Sequence, residues 1–141
     1  MSRPHSPAPK EGPGGPMVEL PAAFVDARGA IQTLVQADVQ AVQVITSKAG
    51  AIRANHYHRA DWHYMYLVSG TMKYFYRPVG LKIEPKFLLI RAGQLVYTPP
   101  LVEHAVEYLE DSMFVNIAGG PRDQTSYEED LVRVELIKPK S

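Results

Sequence analysis

Three histidines, His56, His58 and His63, fall within eight residues of the stretch "RANHYHRADWHYMYLVSG", Arg53 to Gly70. The chain has only five; a fourth is His104, and His5 lies in a proline-rich opening segment. Converging neutral imidazoles suit Zn, Fe, Ni, Co or Mn and need neither thiolate nor carboxylate beside them. The same nitrogen lone pair accepts a proton in general base catalysis. Metal ligation and proton transfer are the two chemistries these residue types supply.

Either chemistry requires the rings to meet, which depends on the elements that carry them. In a strand, residues i and i+2 share a face. His56 and His58 therefore project together, opposite Asn55 and Tyr57. His63, Met65 and Leu67 share the apolar face of the next run, with Trp62, Tyr64 and Tyr66 behind them as an aromatic row. His104, in "LVEHAVEY", has the parity of Val102 and Val106. All four rings thus belong to inward faces, a costly address for an imidazole left unpaired.

The elements read as β throughout. Runs at 30–35, 41–47, 63–70, 71–77, 86–93, 95–100, 105–109, 112–119 and 131–137 are rich in Val, Ile, Tyr and Phe. Each is bounded by Gly, Pro, Asp or Ser. Ser69-Gly70 and Glu110-Asp111 are expected to form hairpin turns. "PRDQTSYEEDL" (121–131) is read as one helical turn with Ser126 and Glu129 spaced as a capping box. Its acidic triplet, Glu128 to Asp130, is read as solvated surface. This pattern predicts a single all-β domain, a barrel or sandwich, over 17–141. Residues 1–16, with five prolines and three glycines, are expected to form a disordered tail.

Composition narrows the partners. Fifteen Lys+Arg balance fifteen Asp+Glu, and no like-charge run exceeds three residues, so nucleic acid is not an expected partner. The absence of cysteine removes disulfides, thiolate ligands and a Cys nucleophile together. No apolar run approaches the roughly 20 residues of a membrane helix. No signal-peptide core is present in the opening segment, so no membrane is expected and a cytoplasmic location is.

The stretch "GAIRANHYHRADWHYMYLVSG" resembles the first cupin motif: a glycine, five residues, His-x-His, a short gap, a Glu, six residues and a glycine. His63 stands at the position of the Glu. "GQLVYTPPLVEHAVEY" resembles the second motif, with Gly93, Pro99 and His104 in step, Leu101 in place of a glycine and Tyr108 in place of the terminal asparagine. The resemblance covers residues 24–119 and implies a cupin β-barrel, that is, a double-stranded β-helix or jelly roll. "FVDARGAIQTL" (24–34) and "RANHYHR" (53–59) are similar to the D-x-R-G and R-G-N-H-x-H-K segments of RmlC-like sugar-nucleotide cupins of polysaccharide biosynthesis.

What the resemblance implies is a divalent metal ion on His56, His58 and His104, with His63 filling the fourth position. A small oxygen-rich ligand, sugar-like or carbonyl-bearing, would bind beside it. The metal-free sugar ketoisomerases and epimerases imply instead that His56 or His58 is the base and Tyr74 or Tyr76 the acid. Arg53 or Arg28 would then anchor a phosphate. A non-catalytic ligand-binding cupin and a metal-dependent dioxygenase stand beside these readings. Cupins commonly pair through an outer sheet, so the resemblance also implies a homodimer.

Overall fold

The computed structural model describes residues 15–138, so the expectation for residues 1–14 lies outside the described residues. Tyr97 N–H donates to the Pro16 carbonyl at 2.8 Å, and Met17 bridges Val96, so the chain joins the body at about the expected point. Among the described residues there are eleven strands and one short helix. They are β1 (Phe24–Asp26), β2 (Gly29–Ile31), β3 (Ala41–Ser47), β4 (Ile52–His58), β5 (His63–Ser69) and β6 (Thr71–Pro78). β7 (Lys86–Arg91), β8 (Leu95–Thr98), β9 (Val102–Tyr108) and β10 (Ser112–Ala118) follow. Helix α1 (Gln124–Asp130) and β11 (Leu131–Arg133) complete the order.

Two antiparallel sheets face one another in the order β3-β10-β5-β8 and β11-β4-β9-β6-β7, and β1-β2 forms a separate hairpin. This is the expected all-β jelly roll, built as two facing sheets that share no ladder among the described residues. Alternation along β3, β5 and β10 places one face inward, where Leu67, Met72, Tyr74, Ile90 and Val96 pack as the buried core. Each such side chain contributes roughly 1.5–3 kcal/mol by burial.

Both expected hairpins are instead corners between the sheets. β5 and β6 lie in different sheets, as do β9 and β10, so Ser69-Gly70 and Glu110-Asp111 carry the chain across the sandwich. The two corners pack together: Leu109 N–H donates to the Thr71 carbonyl at 2.9 Å, and Thr71 Oγ1 donates to Glu110 Oε2 at 2.8 Å. Residues 32–35 and 134–137 continue their runs in sequence but are not strand; β2 ends at Ile31 and β11 at Arg133. The C-terminal segment is held by side-chain bonds instead. Asn55 Oδ1 accepts from the N–H groups of Leu136 and Ile137, both at 3.1 Å.

The helical segment is longer than one turn, and its cap is Asp123, whose carboxylate accepts from Ser126 N–H at 3.1 Å. The Ser126–Glu129 capping box is therefore not formed. The acidic triplet divides: Glu129 is exposed and Glu128 pairs with Arg133, but Asp130 is buried. The aromatic row is also rearranged. Trp62 precedes β5, is fully buried, and packs on Tyr64 and Tyr97 rather than on Tyr66.

Gly70 combines a φ of +94° with a close approach, since an added Cβ would lie 2.0 Å from Ser112 Oγ and 2.8 Å from the Asp111 carbonyl oxygen. Gly93 has a similar φ, +89°, with open space around it. We therefore expect Gly70→Ala to lower the unfolding free energy by well over about 1 kcal/mol, and Gly93→Ala by about that much. Urea denaturation of the two variants measures this, and equal losses would contradict the packed corner.

Candidate functional site

A β-bulge positions the cluster. Ala54 and Asn55 both have left-handed backbone, with φ of 71° and 57°, and the β4–β9 register shifts between Ala54 and His56. In an unbroken strand, Arg53 and His56 would face opposite ways. The bulge restores the parity, so that Arg53, His56 and His58 all line one cavity of about 370 Å³. Ala54 occupies the glycine position of the R-G-N-H segment that it resembles. Leu101, at the glycine position of the second motif, likewise adopts φ 62°. These two residues carry the left-handed conformation that glycine takes without strain.

The four imidazoles meet as expected. His56 and His104 are paired across β4 and β9, with ring centroids 4.7 Å apart. His58 lies 4.9 Å from His56, and His63 lies 5.2 Å from His104 and 5.7 Å from His58. Nitrogens of His56, His58 and His104 all fall within 4.8 Å of one another. His63 adjoins this trio through His104 and is not a member of it.

Hydrogen bonds fix two of the ring tautomers. Asp130 accepts from the backbone N–H groups of Ala60 at 2.7 Å and Asp61 at 3.3 Å, one on each oxygen, which favours its carboxylate form. His58 Nδ1, 2.9 Å from Asp130 Oδ2, is then the donor, and in the neutral ring Nε2 is the lone-pair nitrogen. His104 Nδ1 likewise donates to the Val102 carbonyl at 3.0 Å, leaving its Nε2 bare. His63 Nε2 stands 3.4 Å from His104 Nε2, a gap filled by a proton on His63 or by an ion. In the protonated case His63 Nδ1 is a buried lone pair with no partner among the described residues.

The residues fit a divalent ion. The trio offers nitrogen alone, His58 and His104 are buried and His56 half-buried, and the Nδ1 partners are a carboxylate at His58 and a carbonyl at His104, the usual outer support of ligating histidines.

Burial holds His56, His63 and His104 neutral. It lowers His56 to about 2 and His104 to about 3, and lowers His63 well below its ordinary value, with neighbouring imidazoles adding to each shift. Arg122 lowers His56 and His63 further, so its positive field reaches the cluster. Its guanidinium pairs with the buried Asp61 and lies 5.3 Å over the Tyr127 ring.

Of the other residues expected at the site, Arg53 lines the imidazole cavity. Arg28 does not: it sits exposed on the β1-β2 hairpin, paired with Asp26 at 2.6 Å. Tyr74 and Tyr76 line a separate cavity of about 290 Å³, and the Tyr74 hydroxyl is 2.6 Å from Thr98 Oγ1. Sequence reasoning missed Asp130, Arg122 and Tyr127. Tyr127 lines the imidazole cavity with its ring 5.9 Å from His58. All three residues lie near the C-terminus, and pairing of Leu131 with His58 brings them to the site.

Comparison with solved structures places this architecture. The sugar 3,4-ketoisomerase QdtA of Thermoanaerobacterium thermosaccharolyticum, solved in complex with TDP, superposes with a TM-score of 0.67. It is 18% identical, over 83% of this chain and 85% of QdtA. The chain has an RmlC-like cupin fold. The rmlC epimerase of Mycobacterium tuberculosis aligns with this chain at TM-score 0.65 and 18% identity, over 81% of this chain and 66% of the epimerase. ChmJ, a 3'-monoepimerase of Streptomyces bikiniensis solved with dTDP-quinovose, aligns at 0.64 and 19%, over 77% and 65%. No protein-family model and no curated protein sequence matches the chain.

Below about pH 6.5 an unfolded chain binds protons that folded His56, His63 and His104 exclude, so stability is full above that pH and falls below it. Urea denaturation of metal-stripped protein should show a loss on the order of 2–4 kcal/mol between pH 7.5 and 5.5. His104→Ala should shrink that pH difference. A stability indifferent to pH over this range would contradict the buried, neutral cluster.

Proposed function

We propose that this cupin is an isomerase or epimerase of a keto-sugar-like molecule, moving a proton at a carbon next to a carbonyl. The observation that carries the reading is the His58–Asp130 pair, with a bare Nε2 on a ring that lines the cavity. His58 Nε2 takes the α-proton as the C–H electron pair forms the enediolate; the imidazolium, stabilised by the Asp130 carboxylate, returns the proton to the neighbouring carbon, while the hydroxyl that becomes the new carbonyl gives its proton to the former carbonyl oxygen by way of Tyr127. Arg122 opposes the negative charge of the enediolate. Tyr127, whose phenol burial holds protonated, is the acid in place of Tyr74 and Tyr76. Arg53 has no carboxylate partner among the described residues and anchors an anionic part of the ligand. The ketoisomerase and epimerases of like fold support this substrate class.

The nitrogen trio favours a second reading, a divalent ion (Zn, Fe, Ni, Mn or Co) held by His56, His58 and His104 with His63 beside them. When bound, such an ion supplies Lewis-acid polarisation of a carbonyl oxygen. It would occupy the lone pair that a His58 base needs, so the two readings part at that atom.

Proton NMR in D2O with TDP-4-keto-6-deoxyglucose as the trial substrate tests the first reading. Wild-type protein should wash deuterium into the carbon beside the ketone, and His58→Asn should slow this by at least about 100-fold. Exchange unchanged in His58→Asn would overturn the assignment. Elemental analysis of protein purified without a metal-affinity tag tests the second: near-stoichiometric ion, lost in His56→Ala, supports it.

A homodimer is proposed on the outer face of the four-stranded sheet, where Val42, Val44 and Val68 are exposed. Sedimentation should show a dimer that Val44→Lys dissociates; a monomeric wild type contradicts this.

A further inference from the structure

The cavity of about 290 Å³ that holds Tyr74 and Tyr76 serves neither reading of the imidazole site. Its walls include three tyrosines, Tyr74, Tyr76 and Tyr97, and two prolines, Pro78 and Pro99. Leu81 and Ile83, in the β6–β7 connection, line it as well, yet they are 50% and 49% exposed. Such side chains leave apolar surface in water that an occupant of the groove would cover. Tyr74 is fully buried and forms the wall nearest the imidazoles, with its ring 6.3 Å from that of His104.

The chain itself enters this cavity. The Pro16 carbonyl accepts from Tyr97 N–H at 2.8 Å, and Val18 N–H donates to the Leu95 carbonyl at 2.9 Å, so residues 16–18 run along the outer edge of β8. This pairing cannot extend past Pro16, because Pro99 and Pro100 carry no N–H. Gly15, with φ of +99°, turns the chain off the edge, and Gly15 and Pro16 both line the cavity. Residues 1–14 therefore depart from its rim.

Their composition is complementary to it. Pro4, Pro7 and Pro13 are spaced by three and by six, so a polyproline II helix, with three residues per turn, would align them on one edge. That helix leaves its carbonyls free for outside donors and is the form in which proline-rich segments dock on aromatic grooves. The Tyr76 hydroxyl has no hydrogen-bond partner among the described residues and is such a donor. Lys86 lines the same cavity without a carboxylate partner among the described residues, and Glu11 is the one acid in residues 1–14. Four residues of chain reach about 13 Å, enough to carry Glu11 across a cavity of this size.

We propose that residues 1–14 lie in the tyrosine groove as a polyproline II strap of the chain's own, with Pro7 and Pro13 against the rings and Glu11 toward Lys86. Tethering supplies an effective concentration on the order of 1 mM, so an affinity no better than about 1 mM for the free segment would leave the groove half filled. The strap closes the cavity beside His104 whichever chemistry the imidazoles perform.

The chain has no cysteine, so Ser6→Cys takes a single nitroxide label, and 15N spectra of the full-length, metal-stripped protein then locate the segment. The amide signals of Tyr76, Leu81, Ile83 and Lys86 should fall severalfold and return when the nitroxide is reduced. Ile83→Ser, at an exposed loop position, and Pro7→Gly combined with Pro13→Gly should each restore most of the lost intensity. A mixture of 15N-labelled unmodified protein with spin-labelled protein of natural abundance should show no loss. Loss in that mixture would put the segment on a second copy and overturn the proposal. Loss centred on Arg122 and Tyr127, loss spread evenly around Pro16, or a pattern unchanged in both variants would overturn it too.

Discussion

The hydrogen bond from His58 Nδ1 to Asp130 joins the parts of this molecule that have functional consequence. It fixes which nitrogen carries the proton and so turns a bare lone pair toward the cavity. It also ties the C-terminal helix to β4, and with that helix come Tyr127 and the nearby Arg122. Asp130 is in turn held by two backbone N–H donors, so neither ring nor carboxylate is free to reorient. A buried carboxylate without these donors would be expelled or protonated, and the tautomer would be lost with it.

A second constraint is backbone strain. The bulge at Ala54–Asn55 places Arg53 and His56 on one face, and the left-handed Leu101 turns the chain into β9, which carries His104. Leu101 N–H donates to the His58 carbonyl at 2.8 Å, so the strained turn is braced against the strand that bears the dyad. Each such residue stores on the order of 1 kcal/mol, retained because the surrounding ladder over-determines the conformation. The cavity therefore owes its polar lining to positions that local preference alone would place elsewhere.

Much of this was legible in the sequence. Period-two alternation located most of the strands, and the parity of His56, His58, His63 and His104 foretold their convergence, because side-chain direction in a strand is fixed by the pleat. Sheet membership was not legible. Ser69-Gly70 has the composition of a hairpin turn, and only pairing at long range, β5 with β10 and β6 with β9, makes it a corner. Asp130 was hidden for a related reason: within "YEED" it differs from Glu129 by nothing local, and the Leu131–His58 pairing alone decides which carboxylate is buried. Tyr74 and Tyr76 have inward parity, yet they line a neighbouring cavity, since parity gives the face and not the depth along it.

The claim on which the functional account turns is that His58 is a neutral imidazole protonated on Nδ1, with Nε2 open to the cavity. Two-bond 1H–15N correlation spectra of histidine-labelled, metal-stripped protein read this directly at neutral pH. The account predicts a pyrrole-type Nδ1 and a pyridine-type Nε2 for His58, with that preference lost in Asp130→Asn. A His58 protonated on Nε2, or a tautomer indifferent to Asp130→Asn, would contradict it.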